Sequence, residues 1–166
     1  VLDRSSFYAE AGGQVADIGT IEVDGGVLEV EDVQSYAGFL LHVGRVVKGK
    51  IAVGEKEGKC KVDYVRRKKV AANHSMTHVI NFALRKVLGG SVDQRGSLCD
   101  ASKLRFDFTA PKALKQPQLA QVEALCNKQI EDKLPVAAKV VGLDAAMSLP
   151  GMRAVFGEAY PDPVRV

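Results

Sequence analysis

Residues 64–88 read YVRRKKVAANHSMTHVINFALRKVL and run directly into Gly89-Gly90. The stretch is rich in helix formers. Met76, Ile80, Ala83 and Val87 recur at helical spacing, which predicts one long helix with these four side chains toward the core. The paired glycines end it as a C-cap. Within it, NHSMTH (73–78) holds two of the three histidines in the chain. His74 and His78 lie four apart, so both imidazoles stand on one helix face, one turn above the other.

Everything before this stretch has the period of strands. Ile21–Val23 and Val27–Val33 flank Asp24-Gly25-Gly26, a hairpin signal, and β-like runs follow at Phe39–Val43 and Lys59–Tyr64. Many short strands with glycine-rich turns predict a small antiparallel β-barrel over residues 1–65. After the long helix, Leu104, Phe106 and Phe108 alternate with Arg105 and Asp107, the pattern of a strand with one buried face. Pro117 opens a second helix to about Lys133, with Leu119, Val122, Cys126 and Ile130 expected inward. A strand over 135–142, a short helical piece near Asp144–Ser148 and a strand beginning at Val164–Val166 complete the reading. The expected class is α+β: a barrel over 1–65, then an α+β module over 66–166 with two main helices on an open sheet.

Composition narrows the function classes. The chain has 166 residues and ordinary apolar and charged fractions, and no apolar run approaches a membrane span. Cys60, Cys99 and Cys126 are odd in number, far apart and in no CxxC arrangement, which points to reduced thiols in an intracellular setting. The first residue is Val1, so a fragment or a processed chain is expected. Charge is segregated: residues 1–40 carry eight acids against Arg4, whereas residues 44–70 carry ten bases against Glu55, Glu57 and Asp63. Such a basic block suits phosphate attraction, or else a solvated strand edge and helix start; the second is the reading adopted from charge alone.

Three segments are candidates for chemistry. Histidines at i and i+4 suit one Zn²⁺, but zinc normally takes three or four protein donors. A zincin helix would need Glu where Ser75 stands, so a metalloprotease is excluded. On spacing alone, the pair is either half of a metal site or two ordinary helix residues. FYAEAGGQVAD (7–17) places Gly12-Gly13 before Gln14, in neither GxGxxG nor Walker A spacing. The glycines permit either a close backbone approach to a ligand or a tight turn, and the turn is the simpler reading. SVDQRGSL (91–98) reads as a polar loop in which Gln94 offers a neutral donor and acceptor, with Asp93 and Arg95 pairing in solvent.

Taken together, FYAEAGGQVAD, RRKKVAANHSMTHVINFALRKVLG, VDQRGSL, LRFDF and MRAVFGEAYPDPVRV resemble, in this order, the editing domain of alanyl-tRNA synthetases. The resemblance spans about Leu2 to Val166. Threonyl-tRNA synthetases carry a similar HxxxH domain without the Gly-Gly-Gln barrel ahead of it. The resemblance implies hydrolysis of the ester joining serine or glycine to the terminal adenosine of alanine tRNA, the second sieve that a small-side-chain synthetase needs. It implies one zinc held by HxxxH and a later CxxxH. His74 and His78 match the first pair, and the second is expected beyond Val166, because no Cys-x₃-His occurs in the chain. By the same resemblance Gln94 is the catalytic-pocket residue that reads serine, and Gly12, Gly13, Gln14 and Thr77 bind substrate. The implied partner is the acceptor end of mischarged alanine tRNA. The implied setting is a cytoplasmic synthetase, with an organelle as the alternative, whose flanks supply ATP-dependent aminoacylation. Two rival readings are a non-catalytic tRNA-acceptor binding module using residues 45–69 and a free-standing trans-editing protein.

Overall fold

The computed structural model describes residues 1–54, 57–90, 92–152 and 159–166. Two hairpins build the N-terminal sheet. β1 (Gly19–Val23) pairs with β2 (Gly26–Tyr36) through Val23 and Gly26, leaving Asp24-Gly25 as a two-residue loop. β2 meets β3 (Phe39–Gly49) across Ala37-Gly38, both at positive φ, as a tight hairpin twist demands. β4 (Lys59–Val62) adds to the other side of β1, giving the antiparallel order β3-β2-β1-β4. The antiparallel character and the α+β class follow the sequence. A β3–β4 pairing that would close a barrel is not among those of the described residues. Phe7, Ala16, Ile21, Val30 and Val33 form the buried core of this sheet, with Leu28, Cys60 and Val62 packed against it.

The change of period at residue 64 is where the helix starts. α1 runs Tyr64–Leu88, capped by the Asp63 side chain on the Arg66 amide, and ends as the Gly89 amide bonds Arg85 O at 3.0 Å. Its buried face differs from expectation. Val70, Thr77, Ala83 and Leu84 are buried, whereas Met76, Ile80 and Val87 are only half-buried. The stripe that packs is the 70-77-84 line, which passes through a threonine and so escapes a search for apolar side chains.

α1 lies along a second, two-stranded sheet of β5 (Gln94–Cys99) and β6 (Leu104–Phe108). Asn73 Nδ2 donates to Asp100 O at 2.8 Å, and Arg85 Nη1 donates to Val92 O at 2.9 Å, so helix and β5 run in opposite directions. The segment read as a polar loop is therefore strand β5, with Gln94 paired to Phe108. Asp93 approaches Arg85 at 3.7 Å, not Arg95.

α2 spans Gln116–Glu131. Of its four expected inward residues, Cys126 is buried and Val122 half-buried, but Leu119 and Ile130 are 45% and 55% exposed. The contacts divide the chain into two compact units, Val1–Val122 and Glu123–Val166. In the second, only Val140–Val141 of the expected strand forms β7, followed by α3 (Leu143–Met147). The C-terminal β8 (Val164–Arg165) does find a partner, pairing antiparallel with β7. Residues 153–158 of the segment MRAVFGEAYPDPVRV, and Ser91, lie outside the described residues.

Candidate functional site

Ala11 and Gln14 exchange backbone hydrogen bonds of 3.2 and 2.9 Å, closing a turn with Gly12 and Gly13 at φ +57° and +80°. Gly13 is obligatory there: a Cβ would stand 2.3 Å from Ser97 Oγ and 2.6 Å from Ser97 O. That contact exists because the turn is fastened to the end of β5. Cys99 N donates to Gly13 O at 2.7 Å and Val15 N to Cys99 O at 3.2 Å. Tyr8 completes the turn by donating its hydroxyl to Ala11 O at 3.1 Å.

The helix meets the turn at the same place. Thr77 Oγ1 lies 3.3 Å from Cys99 Sγ, both groups buried, so Cys99 serves packing and a weak hydrogen bond. His74 Nδ1 lies 2.8 Å from Gln14 Oε1, across 60 residues of sequence. A Cβ on Gly12 would sit 3.8 Å from His74 Cε1 and 4.0 Å from its Nε2, so the glycine backbone flanks that edge of the ring. His78 follows one turn on, its ring 6.1 Å from that of His74 and nearly parallel to it at 19°. His74 is half-buried and His78 exposed. Burial, and secondarily the neighbouring His78, push the His74 imidazole below its ordinary pKa, which favours the neutral form that ligates metals.

The structure thus brings Gly12, Gly13, Gln14, His74 and Thr77 together, with His78 beside them. Gln94 stands apart at the far end of β5, five residues from Cys99, or roughly 16 Å at strand rise. His42 is engaged elsewhere: its Nε2 lies 2.7 Å from Ser5 Oγ and its ring packs edge-on against Phe7. Among the described residues no third His, Cys, Asp or Glu joins the two histidines. By donor chemistry, two neutral imidazoles one helical turn apart fit half of a tetrahedral zinc shell. Sequence reading overlooked Asn73 and Tyr8, whose bonds are to backbone carbonyls and so leave no motif.

Four bases of the block, Arg45, Lys61, Arg66 and Arg67, have side-chain partners on the protein. Arg45 bonds Glu29 at 2.8 Å between the paired strands β3 and β2, and Lys61 bonds Glu22 at 2.6 Å between β4 and β1. Arg66 Nη1 donates to Ala16 O at 2.7 Å, and Arg67 grips the buried Asp17 carboxylate. Two of the bases thus meet acids of the first forty residues across paired strands, and Arg67 meets a third from the helix.

Comparison with known proteins now decides the family. The alanine–tRNA ligase named mitochondrial from Saccharomyces cerevisiae is 49% identical over 167 residues, covering 100% of this chain and 17% of the ligase. The sequence belongs with the alanyl-tRNA synthetases. The alanine–tRNA ligase of Jannaschia is 48% identical over 166 residues, and the one named cytoplasmic from Dictyostelium discoideum 43% over 171, each over the whole chain. The chain spans 17–19% of the length of these relatives. A family profile, tRNA synthetases class II (A), matches residues 1–66. Membership places the chain in an enzyme family of protein biosynthesis. Among the described residues no helix is long and apolar enough to cross a membrane.

Proposed function

We propose that this chain is the editing portion of an alanyl-tRNA synthetase, hydrolysing the ester of serine or glycine mischarged onto alanine tRNA. One observation carries the reading: an HxxxH pair whose inner histidine is hydrogen-bonded to a glutamine of a glycine turn that leaves backbone exposed beside the ring. Such a juxtaposition suits a metal next to a surface that a substrate backbone or sugar can approach closely. In this reading residues 1–65 are a barrel subdomain and 66–166 the editing subdomain. His74 and His78 supply two ligands to one zinc, and the resemblance assigns the further pair to the longer ligase. Zinc bound there supplies Lewis-acid polarisation or orientation of the ester and water. Gly12 and Gly13 admit the substrate and Thr77 lines the floor. By the resemblance Gln94, which stands at the other end of β5 from the glycine turn, is the residue that hydrogen-bonds the serine hydroxyl. The setting is cytoplasmic or mitochondrial.

Deacylation of serine-charged alanine tRNA by the longer ligase tests this. His74→Ala/His78→Ala is expected to release zinc and abolish hydrolysis. Gln94→Ala is expected to slow it about two- to tenfold, the worth of one neutral hydrogen bond of about 0.5–1.5 kcal/mol. Binding of the acceptor end without any hydrolysis would favour the non-catalytic module instead.

A further inference from the structure

We propose that Gln14 is a positioning residue: its side-chain carbonyl holds the His74 imidazole with the proton on Nδ1, leaving the Nε2 lone pair free. A neutral imidazole donates from one nitrogen and accepts at the other, and the partner of one fixes the role of the other. Here the partner of Nδ1 is Oε1 of Gln14 at 2.8 Å, an acceptor, so Nδ1 donates. The nitrogen left over is on the ring edge that lies against Gly12, where a Cβ would stand 4.0 Å from it.

The arrangement is built rather than incidental. Gln14 is 7% exposed, and its backbone is held on both sides, by the exchange with Ala11 and by the Gly13–Cys99 and Val15–Cys99 bonds. Cys99 in turn touches Thr77, three residues along α1 from His74, so turn and helix share one anchor. A buried amide on a fixed backbone has little freedom to turn away from the ring it meets. Histidines that bind metals characteristically give their second ring nitrogen to such a partner, which fixes both tautomer and ring orientation. The benefit to zinc rests on the proposed function; the tautomer itself does not.

The decisive measurement uses the metal-free chain with ¹⁵N-labelled histidine at about pH 8, above the ordinary imidazole pKa. Long-range proton–nitrogen spectra assign which ring nitrogen of His74 carries hydrogen. The expected result is protonated Nδ1 and unprotonated Nε2. In Gln14→Met, which keeps the volume and loses the acceptor, His74 is expected to revert to the Nε2-protonated form that free histidine prefers. Gln14→Glu, which keeps an acceptor, is expected to retain Nδ1–H. Protonated Nε2 in the unmodified chain would overturn the inference without recourse to any variant, as would an unchanged tautomer in a folded Gln14→Met. In the longer ligase, Gln14→Met is expected to weaken zinc binding about 10–100-fold and Gln14→Glu to restore most of it. Equal zinc affinity in all three would overturn the positioning role. A longer ligase that binds no zinc at all would overturn the proposed function, and the tautomer would still decide the inference.

Discussion

The first turn of α1 and its third turn both carry ionisable side chains, and they are used in opposite ways. At the first turn, Arg66 and Arg67 spend their guanidinium groups on protein: Ala16 O, Ser6 O and the buried carboxylate of Asp17. Arg67 also lies over the Tyr64 ring at 4.9 Å. At the third turn, His74 gives one nitrogen to Gln14 and keeps the other, and one turn on His78 is exposed. The arginine turn is a rivet between helix and sheet, and the histidine turn is a socket lined by Gly12, Gln14 and the His74 ring. Charge is concentrated at the first turn, yet its guanidinium groups already have protein partners, whereas among the described residues the second nitrogen of His74 has none.

Four measurements break or sharpen this contrast. The largest effect belongs to the rivet. Asp17→Ala strands Arg67 and removes the acceptor of the Tyr8 amide, and is expected to cost about 3–4 kcal/mol in urea unfolding. A loss below about 1 kcal/mol would mean that the pair is ornamental. Next comes the floor of the socket. Gly13→Ala places a Cβ against Ser97 and forces a left-handed φ, with an expected cost of about 2–3 kcal/mol and detachment of the turn from β5. Gly12→Ala meets only ordinary contacts at His74 and pays the backbone term alone, about 1 kcal/mol.

The histidines themselves should separate. His74→Ala leaves the buried Gln14 amide without its ring partner and is expected to cost about 1–2 kcal/mol in the metal-free chain. His78→Ala, at an exposed position, is expected to stay within about 0.5 kcal/mol. Equal losses would show that His78 packs as His74 does and that the socket is closed. The smallest effect is on pH dependence. Burial lowers the imidazole pKa of both His42 and His74 in the folded chain, so the unfolded chain takes up protons first on acidification. Their contribution is complete above about pH 6.5, the unfolded value, and is lost as pH falls below it toward the folded values. Urea midpoints followed downward from about pH 8 should begin to drop near that point, and His74→Ala should shallow the drop.

The period change at residue 64, the first hairpin and the long helix were legible because local chemistry fixes them: Asp24-Gly25 sets the loop, Asp63 caps the helix and Gly89 ends it. The buried line of α1 was not, because tertiary packing selected Thr77, whose hydroxyl finds Cys99 and Asn73 O, over the more apolar Met76. Gln94 read as loop because Gly96 and charged neighbours dilute the strand pattern; the pairing with β6 supplies what the local sequence lacks. At the site, the histidine spacing and the glycine pair each stood out, but their meeting did not. No short-range pattern encodes a hydrogen bond between residues 60 apart.

The fastening of the glycine turn to β5 also dictates an order of events while the chain is being made. The four-stranded sheet draws all its partners from Gly19–Val62, so its pieces are available once that stretch has left the ribosome. The turn at Gly12-Gly13 must wait for Ser97 and Cys99, with a separation of 85 residues between Gly12 and Ser97. Closing so long a loop carries an entropic cost that only the assembled helix and strand offset. A nascent chain halted before β5 is therefore expected to hold a folded sheet with a protease-sensitive N-terminal glycine turn, and release past Cys99 to protect it.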